Sequence, residues 1–102
     1  MRVISRKKIV DFCNKHGKEQ ASLNSWYVTV KNRTYRSFSE LRHTFPKVDS
    51  VLVDKGRKLT VFNIGGNNVR LIAAVHYNSQ KLFIRHILTH AEYDKEKWKC
   101  SK

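Results

Sequence analysis

Apolar residues recur at helical spacing in the first half of the chain and at strand spacing in the second, which predicts an α+β fold. Arg2–Ile4 reads as a short strand, and Ser5 is placed to cap a helix after it. Ile9, Phe12, Cys13 and His16 then fall at i, i+3, i+4 and i+7, and Gly17 marks a stop. Leu23, Trp26, Tyr27 and Val30 repeat that spacing on a second helix, so both aromatics are assigned to core packing rather than to base stacking. Ser37-Phe38-Ser39-Glu40 is a capping box that opens a third, short helix with Leu41 and Phe45 inward and Pro46 at its end. Lys47–Arg57 reads as a loop with a turn at Lys55-Gly56. Three strand-like runs follow, Lys58–Ile64, Asn68–Tyr77 and Lys81–His90, and a helical or frayed tail from Ala91 to Lys102.

The connections between these runs are short, so the strands are expected to be antiparallel neighbours with helices on one face. A loop centred on Gly66-Asn67 pairs Asn63 with Arg70 and Val61 with Ile72. A loop centred on Ser79-Gln80 pairs Ala74 with Arg85 and Arg70 with Thr89. One face then carries Phe62, Ile64, Val69, Leu71, Ala73 and Val75, with Leu82, Ile84 and Leu88 from the last strand, under the helices. The opposite face carries Asn63, Arg70, Ala74, His76 and Arg85. Arg70 and Arg85 are expected about 13 Å apart on it, near enough for neighbouring phosphates of one strand, with His90 and Tyr93 at its edge.

Charge adds a partner class to this picture. Lys+Arg is 21 against 8 Asp+Glu in 102 residues, a net charge of +13. Such an excess attracts polyanions, nucleic acid first, since phosphate contacts release counterions. A membrane surface or an acidic protein would also suit, and on charge alone a non-catalytic role on RNA or the ribosome stands level with an enzyme. The length suits one domain, residues 1–102, and no repeat or linker divides it. No apolar run follows the basic start and none reaches membrane-spanning length, so a cytoplasmic protein without a membrane partner is expected. Cys13 and Cys100 belong to no C-x-x-C pair, which leaves zinc and redox motifs unsupported. Asn32-Arg33-Thr34 matches a glycosylation sequon by composition only.

The side chains on the open face suit one chemistry. RNA carries its own nucleophile, the 2′-hydroxyl, and its cleavage needs a base, an acid and a cation for the charged phosphorane. His90 can serve as base or acid, Tyr93 can pass a second proton or orient the ribose, and Arg70 offers a permanently charged planar fork. Arg85 can hold a further phosphate oxygen, while Asn63, Asn67, His76 and Lys95 are candidate RNA contacts. No metal or other cofactor is expected, and the products would be a 2′,3′-cyclic phosphate and a 5′-hydroxyl. The only acidic cluster, Glu92, Asp94 and Glu96, cannot turn all three carboxylates to one metal from a helix. His86 and His90 lie about 13 Å apart along a strand, too far for one zinc. Gly65-Gly66-Asn67 matches neither nucleotide-binding loop and is explained by a tight hairpin.

Taken together, Phe62-Asn63-Ile64-Gly65-Gly66-Asn67, Arg70-Leu71, Ile84-Arg85 and Thr89-His90-Ala91-Glu92-Tyr93-Asp94-Lys95 resemble the HigB family of type II toxins. Met1-Arg2-Val3-Ile4-Ser5, Trp26-Tyr27 and Thr44-Phe45-Pro46 extend the resemblance over nearly the whole chain. It implies a RelE-like fold, mRNA endonuclease activity often coupled to the translating ribosome, and inhibition by a HigA-type antitoxin with a helix-turn-helix. By position it carries a role to Arg70, Arg85, His90 and Tyr93, and further to Asn63, Asn67 and Lys95, without fixing which group is acid and which is base.

Overall fold

Helices and strands divide between the two halves of the chain in the computed structural model, which describes residues 1–53, 56–66 and 68–95. In chain order they are β1 (Arg2–Ile4), α1 (Lys7–Lys15), a single 3-10 turn (Gly17–Glu19), α2 (Gln20–Lys31), α3 (Phe38–Thr44), β2 (Asp49–Leu52), β3 (Lys58–Ile64), β4 (Val69–His76), β5 (Lys81–Thr89) and α4 (His90–Asp94). The strands form one sheet in the order β1-β5-β4-β3-β2. Every neighbouring pair is antiparallel except β1 and β5, which run parallel with Val3 opposite Leu82. This is the α+β, RelE-like arrangement, with an N-terminal strand, helices on one sheet face and a short C-terminal helix.

The expected helical faces become the core, except at His16, which caps the end of α1 and is exposed. Ile9 and Phe12 of α1, Leu23, Trp26 and Val30 of α2, and Leu41 of α3 are buried against Phe62, Leu71, Ala73, Leu82 and Ile84 of the sheet. Trp26 meets the edge of Phe62 at 5.2 Å between ring centroids, a favourable aromatic geometry. Helix starts differ in detail. Ser37 Oγ accepts from the Glu40 amide at 3.2 Å, as a capping residue should. The Glu40 carboxylate, however, accepts from the Arg36 amide rather than closing the box on Ser37. Ser5 does not cap α1: its φ is +75°, and its backbone carbonyl accepts from Lys8 at 2.9 Å, leaving Arg6 at the cap position.

The first hairpin has the expected register, with Asn63 opposite Arg70 and Val61 opposite Ile72. Two other expectations require correction. Residues 47–57 are not all loop, because Asp49–Leu52 pairs with β3 from Asp49 opposite Val61 to Leu52 opposite Lys58. This strand is short and exposes Asp49, Ser50 and Leu52, but Val51 and Val53 pack on Leu59, Val61 and Ile72. The second hairpin is shifted: His76 faces Lys81, Ala74 faces Phe83 and Arg70 faces Leu88. The turn therefore centres on Asn78-Ser79. Gln80 adopts φ +54°, and its side-chain amide donates to the carbonyls of Tyr35 at 2.6 Å and Tyr77 at 2.7 Å, which fixes the turn there.

A β-bulge adds a further shift. Ala73 faces Ile84 and Ile72 faces His86, so Arg85 is an extra residue in β5. Beyond it the alternation is reset. Ile87 joins the helix-side core, while Leu88, expected under the helices, packs with Ile72 on the other face.

Gly65 and Gly66 both take positive φ, +64° and +62°, at the first hairpin. A Cβ on Gly65 would lie 2.2 Å from Glu19 Oε2, whereas one on Gly66 meets nothing within 4 Å. Urea unfolding of Gly65→Ala and Gly66→Ala is expected to show losses of about 1–3 kcal/mol each from the backbone conformation. Gly65→Ala should lose more, by the displacement of Glu19.

Candidate functional site

α4 begins where β5 ends, and its start is fixed twice. Thr89 Oγ1 accepts from the Glu92 amide at 3.3 Å, and Glu92 Oε1 accepts from the Thr89 amide at 3.0 Å, a complete capping box. The His90 amide donates to the Asn68 carbonyl at 3.1 Å, which ties the helix to the start of β4. These bonds to Thr89 hold the Glu92 carboxyl below its ordinary value, with nearby His16 and Lys95 acting in the same direction.

This anchoring brings His90 and Tyr93 over Arg70. The Arg70 guanidinium lies 3.2 Å from His90 Nδ1, and its carbon sits 5.5 Å from the centre of the Tyr93 ring. A guanidinium has only donors to offer, so this contact requires an unprotonated Nδ1. Nε2 then carries the proton and faces Asp94 Oδ2 at 3.3 Å. The imidazole is thus held between a cation and a carboxylate. Its side chain is 56% exposed, open to a large ligand.

Below these groups lies a cleft of about 420 Å³ lined by Arg42, Lys47, Asp49, Asn63, Arg70 and Tyr93. Asn63 Nδ2 donates to the Lys47 carbonyl at 3.3 Å and so joins β3 to the segment leading into β2. Leu88 and Tyr93 pack on the apolar patch of Leu59, Val61 and Ile72, which gives the polar groups a hydrophobic floor.

Of the residues singled out from sequence, Arg70, His90, Tyr93 and Asn63 gather at this cleft. Lys95 follows α4 and is exposed. His76 stands six residues from Arg70 along β4, about 20 Å away at strand rise, with its ring against Phe83. Arg85 does not share the cleft of Arg70. The bulge places it in a separate cleft with Lys8, Lys15, His16 and His86, between α1 and β5. Asn67 and Cys100 lie outside the described residues. Cys13 is a half-buried free thiol, raised by that burial. Asp94, Arg42 and Lys47 are the additions made by the structure. Asp94 had a readable signal: Thr89-x-x-Glu92 is a helix start, and on that helix Asp94 is i+4 from His90. Arg42 and Lys47 had none, because their approach depends on tertiary packing.

Residues 19–96 match the family model described as HigB_toxin, RelE-like toxic component of a toxin-antitoxin system. The chain is 33% identical over 95 residues to the mRNA interferase HigB of Escherichia coli O6:H1 (strain CFT073), covering 93% of this chain and 90% of that protein. It is 34% identical over 95 residues to the mRNA interferase toxin HigB of Escherichia coli K12, covering 92% and 88%. An mRNA interferase HigB of Shigella flexneri is similar to the same degree.

The capping box yields a paired expectation. Thr89→Ala should cost about 1 kcal/mol and raise amide exchange in α4 more than in the sheet. Acid should do the same through Glu92. Its carboxyl is depressed in the folded state, so its contribution is complete above the ordinary value of 4.5 and fades as pH falls through the lowered value. Exchange measured by mass spectrometry from pH 6 down to about pH 3 should show α4 opening first in the wild type and no such step in Glu92→Gln.

Proposed function

The chain belongs to the HigB family of RelE-like toxins, and from this we propose that it is an endoribonuclease that cuts mRNA by attack of the ribose 2′-hydroxyl, without a metal ion. The observation that carries the reading is the convergence of Arg70, His90 and Tyr93 on one open surface. Arg70 binds the scissile phosphate and neutralises the phosphorane as charge builds on its oxygens. A phosphate bound there competes with His90 for the guanidinium N–H groups. His90 Nδ1 is then released to take the proton of the 2′-hydroxyl, while Asp94 keeps the ring in the Nε2–H tautomer. Tyr93 donates a proton to the departing 5′-oxygen or orients the ribose, and Lys95 adds positive charge beside it. Arg42, Lys47 and Asn63 line the path of the strand.

The relatives named mRNA interferases support the choice of message as substrate. The toxin works on translating ribosomes, in the cytoplasm, and is silenced by a HigA-type helix-turn-helix antitoxin. A non-catalytic basic protein of RNA or the ribosome would have the same charge, but it gives no reason for an imidazole clamped between Arg70 and Asp94.

Brief induction followed by mapping of 5′ ends should reveal new cuts in translated messages, with 5′-hydroxyl and 2′,3′-cyclic phosphate ends. Arg70→Ala is expected to lower cleavage by about 10²–10³-fold, and His90→Gln by about 10²–10⁴-fold, at unchanged protein level. Intact messages alongside salt-sensitive RNA binding by the wild type would overturn the reading in favour of a binding protein.

A further inference from the structure

Arg85 and the groups around it form a second basic cleft, of about 290 Å³, that the proposed reaction leaves unused. Its walls come from separate elements: Lys8, Asp11, Lys15 and His16 from α1 or its end, and Arg85 and His86 from β5. Lys8 and Lys15 are exposed, and Arg85 and His86 are half-buried. Among the described residues, none of Lys8, Lys15 and Arg85 forms an ion pair. Glu92 also borders the cleft, its carboxylate capping α4 while keeping its charge. Asp11 and Glu92 together stand against Lys8, Lys15 and Arg85, which leaves the cations in excess. The excess is felt inside: burial lowers the pKa of His86, and the charges of Lys8 and Arg85 lower it further.

We propose that this cleft is a second phosphate subsite, which holds nucleotides of the same RNA strand beyond the one cut at Arg70. The inference rests on the ribonuclease reading and extends it. Two features place the cleft on the path of the strand. Leu88 and Glu92 line it, and both belong to the segment that carries His90 and Tyr93. Arg70 faces Leu88 across the ladder, and Arg85 lies three residues from Leu88, about 10 Å at strand rise. An RNA strand leaving Arg70 over the start of α4 enters this cleft next. Cations set apart in this way bind different phosphates of one chain, which supplies affinity without reading sequence. The β-bulge is the device that achieves the separation, since a regular strand would have left both arginines on one face.

The test compares binding of a trinucleotide and a nonanucleotide of fully 2′-O-methylated RNA, which carries no free nucleophile, by fluorescence anisotropy across a salt series. Three proteins are measured beside the wild type: Lys8→Ala/Lys15→Ala, Arg70→Ala, and Lys31→Ala/Arg33→Ala, which removes equal charge at the end of α2. The wild type should favour the nonanucleotide. In the Lys8/Lys15 double variant that preference should fall roughly tenfold, and the salt slope for the longer RNA should drop by about 1.4, or 0.7 for each lost phosphate contact. Arg70→Ala should weaken both RNAs in parallel, and the Lys31/Arg33 double should shift the preference far less. Since Lys8 and Lys15 are exposed, their double variant should melt with the wild type.

A wild-type length preference in the Lys8/Lys15 variant would overturn the subsite, as would equal losses in the two double variants. Loss of binding to a polyglutamate peptide with RNA preference retained would also overturn it, and would make the cleft a docking surface for acidic protein. Failure of the parent reading looks different: messages stay intact on induction while the length preference persists.

Discussion

Side chains on a strand alternate between two faces, and here helices claim only one of them. Polar groups that the strands give to the site must therefore come from positions of opposite parity to the core, or from beyond the end of a strand. The first hairpin meets this demand simply, since Asn63 and Arg70 face one another between core residues Phe62, Ile64, Val69 and Leu71. β5 meets it only by carrying one residue too many. With Arg85 bulged out, Leu82, Ile84 and Ile87 all reach the helices, and Leu88 turns to the face that supports Tyr93. The strand then finishes at Thr89, where a hydroxyl and a glutamate start α4 in the direction that carries His90 to Arg70.

Much of this could be read from the chain because it is governed by local rules. Helical spacing of Ile9, Phe12, Leu23, Trp26 and Val30 specifies a buried stripe, and all five are buried. A loop centred on Gly66-Asn67 sets a register that the structure reproduces, with Asn63 opposite Arg70. The neighbourhood of Arg70, His90 and Tyr93 was also legible, although the pairing used to reach it was off by one at that end of the ladder: Arg70 faces Leu88 rather than Thr89. The reach of an arginine side chain tolerated the error.

What was not legible depended on exceptions to alternation and on tertiary contacts. Ile84-Arg85-His86-Ile87 puts two polar residues between two core residues, which is the mark of an inserted position, yet strict alternation reads past it. Gln80 gives no local sign that its amide will bind Tyr35, 45 residues away, and thereby displace the second turn. β2 carries the apolar run Val51-Leu52-Val53 without the alternation of a half-buried strand, since Leu52 is exposed, and its place in the sheet rests on pairing with β3 and on the packing of Val51 and Val53.

That packing has a consequence for how damage at the sheet margin is expressed. Val51, Val53, Leu88 and Tyr93 all pack on one small oily patch of Leu59, Val61 and Ile72, so the phenol of the site and the edge strand β2 share a support. Thinning this layer at Val51 would let water beneath Tyr93 and weaken the low-polarity backing that strengthens the electrostatics above it. On the proposed reaction, an alteration that touches neither RNA nor Arg70 would thus surface as a loss of turnover, with the helix-side core, and most of the stability it supplies, left standing.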